Sequence, residues 1–363
     1  MADHRTTITE LVTGLGTLGF GSLEEALAAR PAEMVSMSPE LWCLLEELHR
    51  GGAYGQEFLG AWHNGVAFLA AADGLRGRRP LTIEWRGAQK QPGDEAVPAD
   101  LRIDHVFLVS CKYLSQIVSN TSPTHVFDRL LAGGHGQGGR SGDWFAEVAP
   151  AAYQSLYDAT LDHLHAEPPA LAPVPVPVPA MVDGAGRSDG FPDSVVELTA
   201  GDRERLQRRL GRGRWTAALR PAAVEFSAAV AEASAARWRE ALAGADVERV
   251  LWRLLRIGSA PYFVLGAAPA GSLRLRIATA WDWRQHFRID DVVITPTFRE
   301  QPVVQWSVTV TSRRSLQTTT IDGHVEIRWS HGKFAQRPEA KVYLDTPHSR
   351  IPGYWPLSAP HPR

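Results

Sequence analysis

Apolar residues recur at helical spacing through the first seventy positions. Ser22-Leu-Glu-Glu25 reads as a capping-box start for SLEEALAAR, and Ser38-Pro-Glu-Leu opens a second helix through ELWCLLEELHR. GGAY breaks the pattern, and a third helix is expected over roughly Gln56 to Ala72, with Phe58, Trp62, Val66 and Leu69 on one stripe. The spacing then changes to strand-like. PLTIEWRG predicts a short strand, AQKQPGDEAVP a polar loop, and ADLRIDHVFLVSCKY two strands close together. THVFDRLLAG and DWFAEVAPAAYQSLYDATLDHLH return to helical patterning on either side of the glycine-rich GGHGQGGRSG.

A second change of character comes at EPPALAPVPVPVPAMVDGAGRSDG, whose alternating prolines predict an extended linker or insertion over 167–190. Beyond it, TAGDRERLQRRLGRGRW, EFSAAVAEASAARWREALAG and ADVERVLWRLLRIG are helical. From Pro261 onward YFVLG, SLRLRIATAW, HFRIDDVVI, VVQWSVTVT, GHVEIRW and AKVYL alternate as strands. The order of helices, few strands, helices, then many strands predicts an α+β fold. The expected division is a unit over 1–166 and a helical then β-rich unit over 191–363, with YFVLG a candidate strand for the first unit's sheet. No internal repeat is present.

Composition sets the class. The chain is 44% hydrophobic and 21% charged, an ordinary globular balance. No apolar run approaches the ~18 residues of a membrane span, and MADHRTTITELV lacks the pattern of a signal peptide. Cys43 and Cys111 are the only cysteines, which argues against a disulfide framework or cysteine-based zinc site and leads us to expect a cytoplasmic protein. Charge is uneven: residues 1–166 hold 12 Lys+Arg against 20 Asp+Glu, and residues 167–363 hold 26 against 20. A basic half suits a polyanionic partner, and an asymmetric solvated surface explains it equally well. Only Lys90, Lys112, Lys333 and Lys341 are lysines. A lysine kept inside the apolar strand HVFLVSCKY, where arginine supplies most positive charge elsewhere, invites a chemical role.

Strand geometry selects its partner. If LRI and VFLVSCKY form a hairpin, Asp104 and His105 occupy the turn, and Asp104 lies some 20 Å from Lys112 along the ribbon. Asp100 instead falls opposite Val109 or Ser110. It shares a face with Ser110 only through a three-residue loop or a bulge at Asp104–Val106. Ser110 and Lys112, two apart, already share a face. Carboxylates converging with a lysine suit Mg²⁺ and a phosphodiester: hard oxygen ligands hold the metal, and the lysine steadies the transition state or orients the water. A lysine that merely snorkels to solvent beside Asp100 is the competing structural reading.

Pro98-Ala-Asp100, followed by a strand ending Ser110-Cys111-Lys112, resembles the PD-(D/E)xK nuclease superfamily over roughly residues 51 to 131. The resemblance implies a restriction-endonuclease-like αβββαβ core with N-terminal helices. It also implies a Mg²⁺ (or Mn²⁺)-dependent endonuclease acting on DNA, in restriction or defence. Asp100 and Glu57, in Gln56-Glu57-Phe58, would bind metal together with the Cys111 carbonyl, and Lys112 would act on the nucleophile or transition state. Ser110 stands where the family has Asp or Glu, which favours a single metal or a non-catalytic DNA-binding scaffold; Glu84 is the candidate replacement acid, and Gln116 a candidate phosphate contact. A second copy or a defence-system protein is a further expected partner, and no membrane is.

Other signals compete. Gly14-Leu-Gly16-Thr-Leu-Gly19 spells the dinucleotide fingerprint of a nucleotide-binding enzyme. That fingerprint requires a preceding strand, for which TTITELVT is weak, so a glycine-rich bend is the expected form. GGHGQGGRSG offers backbone N–H groups and Arg140 to phosphate, though a surface loop suits it better. Arg203, Arg205, Arg208, Arg209, Arg212 and Arg214 form a run suited to DNA phosphates or to a solvated helix face. His324, Glu326, Arg328, His331 and Lys333 gather near one strand, which reads as a polar edge.

Overall fold

The first helix lies where a weak strand was read. Ile8, Leu11, Val12 and Leu15 repeat at i, i+3, i+4 and i+7 and are fully buried in α1 (His4–Gly16). Its β-branched threonines are drawn into the helix by back-bonding: Thr9 Oγ1 donates to the Arg5 carbonyl at 2.7 Å and Thr13 Oγ1 to the Thr9 carbonyl at 2.6 Å. The computed structural model describes residues 4–35, 37–87, 99–113, 117–132, 142–166, 190–211, 213–268, 271–298 and 301–358.

Helix α2 (Leu23–Ala29) starts at Ser22, whose side chain accepts from the Glu25 N–H, and α3 (Pro39–Arg50) starts likewise at Ser38. Helix α4 (Gly55–Ala70) lies against α1. Arg5 meets Glu57 near the helix starts and Gly16 meets Gly65 near the ends, so the two run the same way. At that second contact a Cβ on Gly65 would stand 2.2 Å from the Thr13 carbonyl oxygen, so only glycine permits the approach. Gly16 thus closes α1 against α4, while Gly14 faces Ile83 and Met34. Both lie within α1 and no strand precedes them among the described residues, so they lack the geometry of the dinucleotide fingerprint.

Two sheets follow. The first has six strands in the order β1 (Ile83–Trp85), β2 (Leu101–Ile103), β3 (Phe107–Tyr113), β5 (Tyr262–Ala268), β6 (Gly271–Ile277) and β11 (Tyr354–Pro356). All neighbours are antiparallel except β3 and β5, which run parallel with Lys112 opposite Gly266. α1 lies over β3, and α4 over β5 and β6. Val109, Cys111, Phe263 and Leu265 pack on this helical side, while Leu108, Tyr262 and Val264 join the larger core behind.

The second sheet runs β4 (Ile117–Thr121), β10 (Glu339–Leu344), β9 (Thr318–Arg328), β8 (Pro302–Ser312) and β7 (Phe287–Phe298), all antiparallel. The long α9 (Arg220–Ala243) crosses β7 and β8, with α7 (Pro150–Ala166) packed on it. Trp144 Nε1 donates to Ser234 Oγ at 3.0 Å within this core.

The fold is α+β, as the element order predicted. The two expected units do not keep separate sheets. YFVLG does enter the first sheet as β5, and SNT of β4 enters the second, so each sheet takes strands from both sides of 167–190. The proline-rich segment itself lies outside the described residues, as do Gln116, Arg140 and Arg212.

Candidate functional site

The hairpin fixes the site. Ile103 pairs with Phe107 and Leu101 with Val109, leaving Asp104, His105 and Val106 as a three-residue loop. Asp104 and His105 both take positive φ, 49° and 59°, which turns the chain in so few residues. Asp104 Oδ1 accepts from the Leu81 and Thr82 N–H groups, and its other oxygen pairs with Arg78 at 2.7 Å, so this aspartate pins the loop. The same register carries Asp100 to the position facing Ser110. Ser110 Oγ donates to Asp100 Oδ2 at 3.0 Å, and the Cys111 N–H donates to the same oxygen at 2.6 Å. Of the two ways to bring Asp100 onto the face of Ser110, a three-residue loop or a bulge, the structure has the loop.

Lys112 follows on β3, half-buried. Burial lowers its pKa, and the positive charge of Arg256 lowers it further, while Asp100, the Cys111 thiol and Glu10 act in the opposite sense. The Cys111 thiol lies on the helical side, where burial pushes its pKa well up and Thr13 hydrogen-bonds to it. Only the backbone of Cys111 is therefore placed to serve at the Asp100 side.

Glu57 does not join this group in the structure. It sits at the start of α4, buried, and takes an ion pair from Arg5 Nε at 3.1 Å. The reason is that α4 packs over β5 and β6, and α1 covers β3. The acid that does feel both Asp100 and Lys112 is Glu10 of α1, 6% exposed. Trp85 Nε1 donates to Glu10 Oε2 at 2.6 Å. Burial first, and the charge of Asp100 second, push the Glu10 pKa from 4.5 up to about 7, against the lowering effects of Trp85 and Lys112. The sequence carried a signal for it: Glu10 is the only charged residue between Arg5 and Glu24. Glu84 is engaged elsewhere, receiving Arg102 Nε at 2.9 Å and pairing with His105 Nδ1 at 2.8 Å.

Three further groups border the lysine. The buried Tyr262 hydroxyl is in hydrogen-bonding contact with Ser110 and Arg256, and burial raises its pKa. Arg256 holds a left-handed backbone, φ 56°, just beyond α10 (Val247–Leu254). His348 is kept neutral more readily than a free histidine by burial and by the nearby Lys112 charge. None of the three had a local sequence signal, since each reaches the site from a distant segment.

Among the described residues no group of three or more His, Cys, Asp or Glu side chains is arranged to hold a metal ion. Two carboxylates remain near Lys112: Asp100, half-buried, and Glu10, whose ionisation is opposed first by burial and then by Asp100. Carboxylate oxygens are the donors a hard cation takes, and Mg²⁺ is commonly held by one or two carboxylates while keeping its waters. Asp100 and Glu10 are the two carboxylates that would hold such an ion.

The titration of Glu10 has a measurable consequence. Its folded pKa of about 7 exceeds the ordinary 4.5, so the folded state binds more protons and stability falls as pH rises from 4.5 to 7. The loss is on the order of 3 kcal/mol. Glu10→Gln is expected to flatten this decline, so that thermal melts of wild type and variant diverge between those pH values, the variant being the more stable at pH 8. Parallel melting curves across the range would show that Glu10 titrates normally.

Half of the arginine run is tied down. In α8 (Ala200–Leu210), Arg203 donates to the Phe334 carbonyl at 3.1 Å and to Asp143 at 3.3 Å. Arg205 bonds Asp202 and the Gly190 carbonyl and stacks 4.3 Å over Phe191. Arg209 donates to the Leu164 carbonyl at 2.7 Å. Arg208 and Arg214 are exposed. Three of the six thus fasten α8 to its neighbours. His324 pairs with Asp345 at 2.8 Å and stacks on Tyr343, and Glu326 accepts from the Tyr343 hydroxyl at 3.1 Å, as befits a polar sheet face. Comparison with protein-family models, with curated proteins and with solved structures finds no match.

Proposed function

We propose that the protein is a metal-dependent nuclease whose active site is built on Asp100, Glu10 and Lys112. One observation carries the reading: an aspartate just before β2 is held against Ser110 and Cys111 of β3, and its charge reaches both the buried acid on α1 and the lysine near the end of β3. The arrangement of α1, the antiparallel β1–β2–β3 and a parallel β5 supports a restriction-endonuclease-like core with the helix acid at position 10 in place of 57. A divalent cation held by Asp100 and Glu10, with the Cys111 carbonyl, would supply an activated water and neutralise phosphate charge.

The chain's own groups then have separable roles. The hydroxyl of Ser110 and the N–H of Cys111 hold Asp100 Oδ2, which fixes the carboxylate and leaves Oδ1 for a further partner. Lys112, its pKa lowered by burial, is suited to donate to a phosphoryl oxygen or to a water beside it. Arg256 and Tyr262 stand behind it as additional donors. Ser110 holds the family's acidic position without an anionic charge, which supports one metal rather than two.

The test is cleavage of supercoiled plasmid DNA with Mg²⁺ or Mn²⁺. Wild type is expected to nick or linearise the plasmid, and Asp100→Asn to lower the rate at least about 100-fold. If Asp100→Asn cuts as well as wild type, the site is misassigned. If wild-type protein binds DNA but never cuts, the fold serves as a scaffold, as Ser110 would permit.

A further inference from the structure

A second site lies in the other half of the molecule. A cavity of about 340 Å³ opens between α6 (Trp144–Val148), α9 and the end of β9. Its walls include Phe145, Phe226, Trp215 and Trp329, with Arg328 and Lys333 among them. Phe226 and Trp329 lie nearly parallel, 8° apart with centroids at 5.9 Å, and Phe145 meets Trp329 edge-on at 4.8 Å. Lys333 Nζ stands 4.6 Å from the Trp215 ring centre. Two wall donors, Arg328 Nε and Trp329 Nε1, are buried and find no acceptor among the described residues. Buried N–H groups ordinarily have partners; here the Arg328 guanidinium has one at its other end, donating from Nη1 to Glu326 Oε2 at 3.3 Å.

We propose that this cavity binds a nucleotide, its base against the aromatic walls and its phosphate toward Arg328 and Lys333. Flat aromatic faces stack any base. Lys333 and Arg328 together carry two positive charges against the single Glu326 carboxylate paired with Arg328, which leaves a net positive wall suited to an anion. The volume is at the small end of ligand pockets and suits one mononucleotide. The chemistry is shared by a free nucleotide and by a single unpaired residue of a DNA strand. The proposal rests on the cavity and does not need the nuclease site.

Isothermal titration of the full chain with the four deoxynucleoside 5′-monophosphates, with inorganic phosphate, and with a short single-stranded oligonucleotide tests it. Saturable binding of a mononucleotide, at least tenfold tighter than phosphate, is expected for a free-nucleotide site. Binding of the oligonucleotide alone, weakened at least tenfold by Trp329→Leu, identifies a strand residue as the ligand and equally supports the pocket. Arg328→Met should weaken binding by a similar factor, which covers the case in which the tryptophan variant does not fold. All titrations are run without divalent metal, so failure of the nuclease reading leaves this result standing. Phosphate binding as tight as nucleotide, no saturable binding of any probe, or nucleotide binding unaffected by both pocket variants would overturn the proposal.

Discussion

Replacing Lys112 with methionine is expected to lower Mg²⁺-dependent DNA cleavage by about 100-fold or more while leaving the melting temperature unchanged or raised. The two effects separate because the lysine is costly where it stands. Burial and the neighbouring Arg256 both disfavour its charge, and a methionine of similar length fills the same space without that penalty. A lysine serving stability through Asp100 would give the opposite pattern, a lower melting temperature with cleavage largely intact. Plasmid cleavage rates and thermal melts on the same preparation distinguish the two. Metal binding by Lys112→Met should persist, since Asp100 and Glu10 are untouched.

The second large effect comes from a glycine across the sheet. Gly266 faces Lys112 in the parallel pairing of β3 and β5. A Cβ there would stand 1.9 Å from the Lys112 carbonyl oxygen and 2.7 Å from its carbon. Both partners are backbone, so no rotamer change relieves the clash; the strands must separate and their hydrogen bonds with them. Gly266→Ala is expected to destabilise the fold by on the order of 3 kcal/mol or more and to displace Lys112, so that cleavage falls in whatever protein remains folded. Gly60→Ala is the control. Gly60 lies on the exposed face of α4 with nothing within 4 Å of its added Cβ, and alanine there should stabilise by up to about 1 kcal/mol. Denaturant unfolding of the two variants should therefore shift in opposite directions.

What could be read from the chain was local. The period-two run around VFLVSCKY and the count of residues from Asp100 to Ser110 gave the hairpin, its loop length and its face, because strand geometry leaves few ways to pair so short a ribbon. Capping at Ser22 and Ser38 was equally legible. The helix acid was not. Gln56-Glu57-Phe58 has the right sequence context, yet which of two adjacent helices covers β3 depends on packing between Gly16 and Gly65, a contact between segments fifty residues apart. The exchange of strands between sheets was hidden for the same reason, and so were Arg256, Tyr262 and His348. Charge in the Arg203–Arg214 run was visible, but its partners, Asp143, Phe191 and the Leu164 carbonyl, come from elsewhere in the chain.

The most direct measurement is the position of a divalent ion. In a crystal of wild-type protein soaked with Mn²⁺, anomalous scattering should place a peak within about 2.5 Å of carboxylate oxygens from both Asp100 and Glu10. A peak coordinated instead by other acids, or none at this end of the hairpin in an otherwise intact structure, would contradict the account.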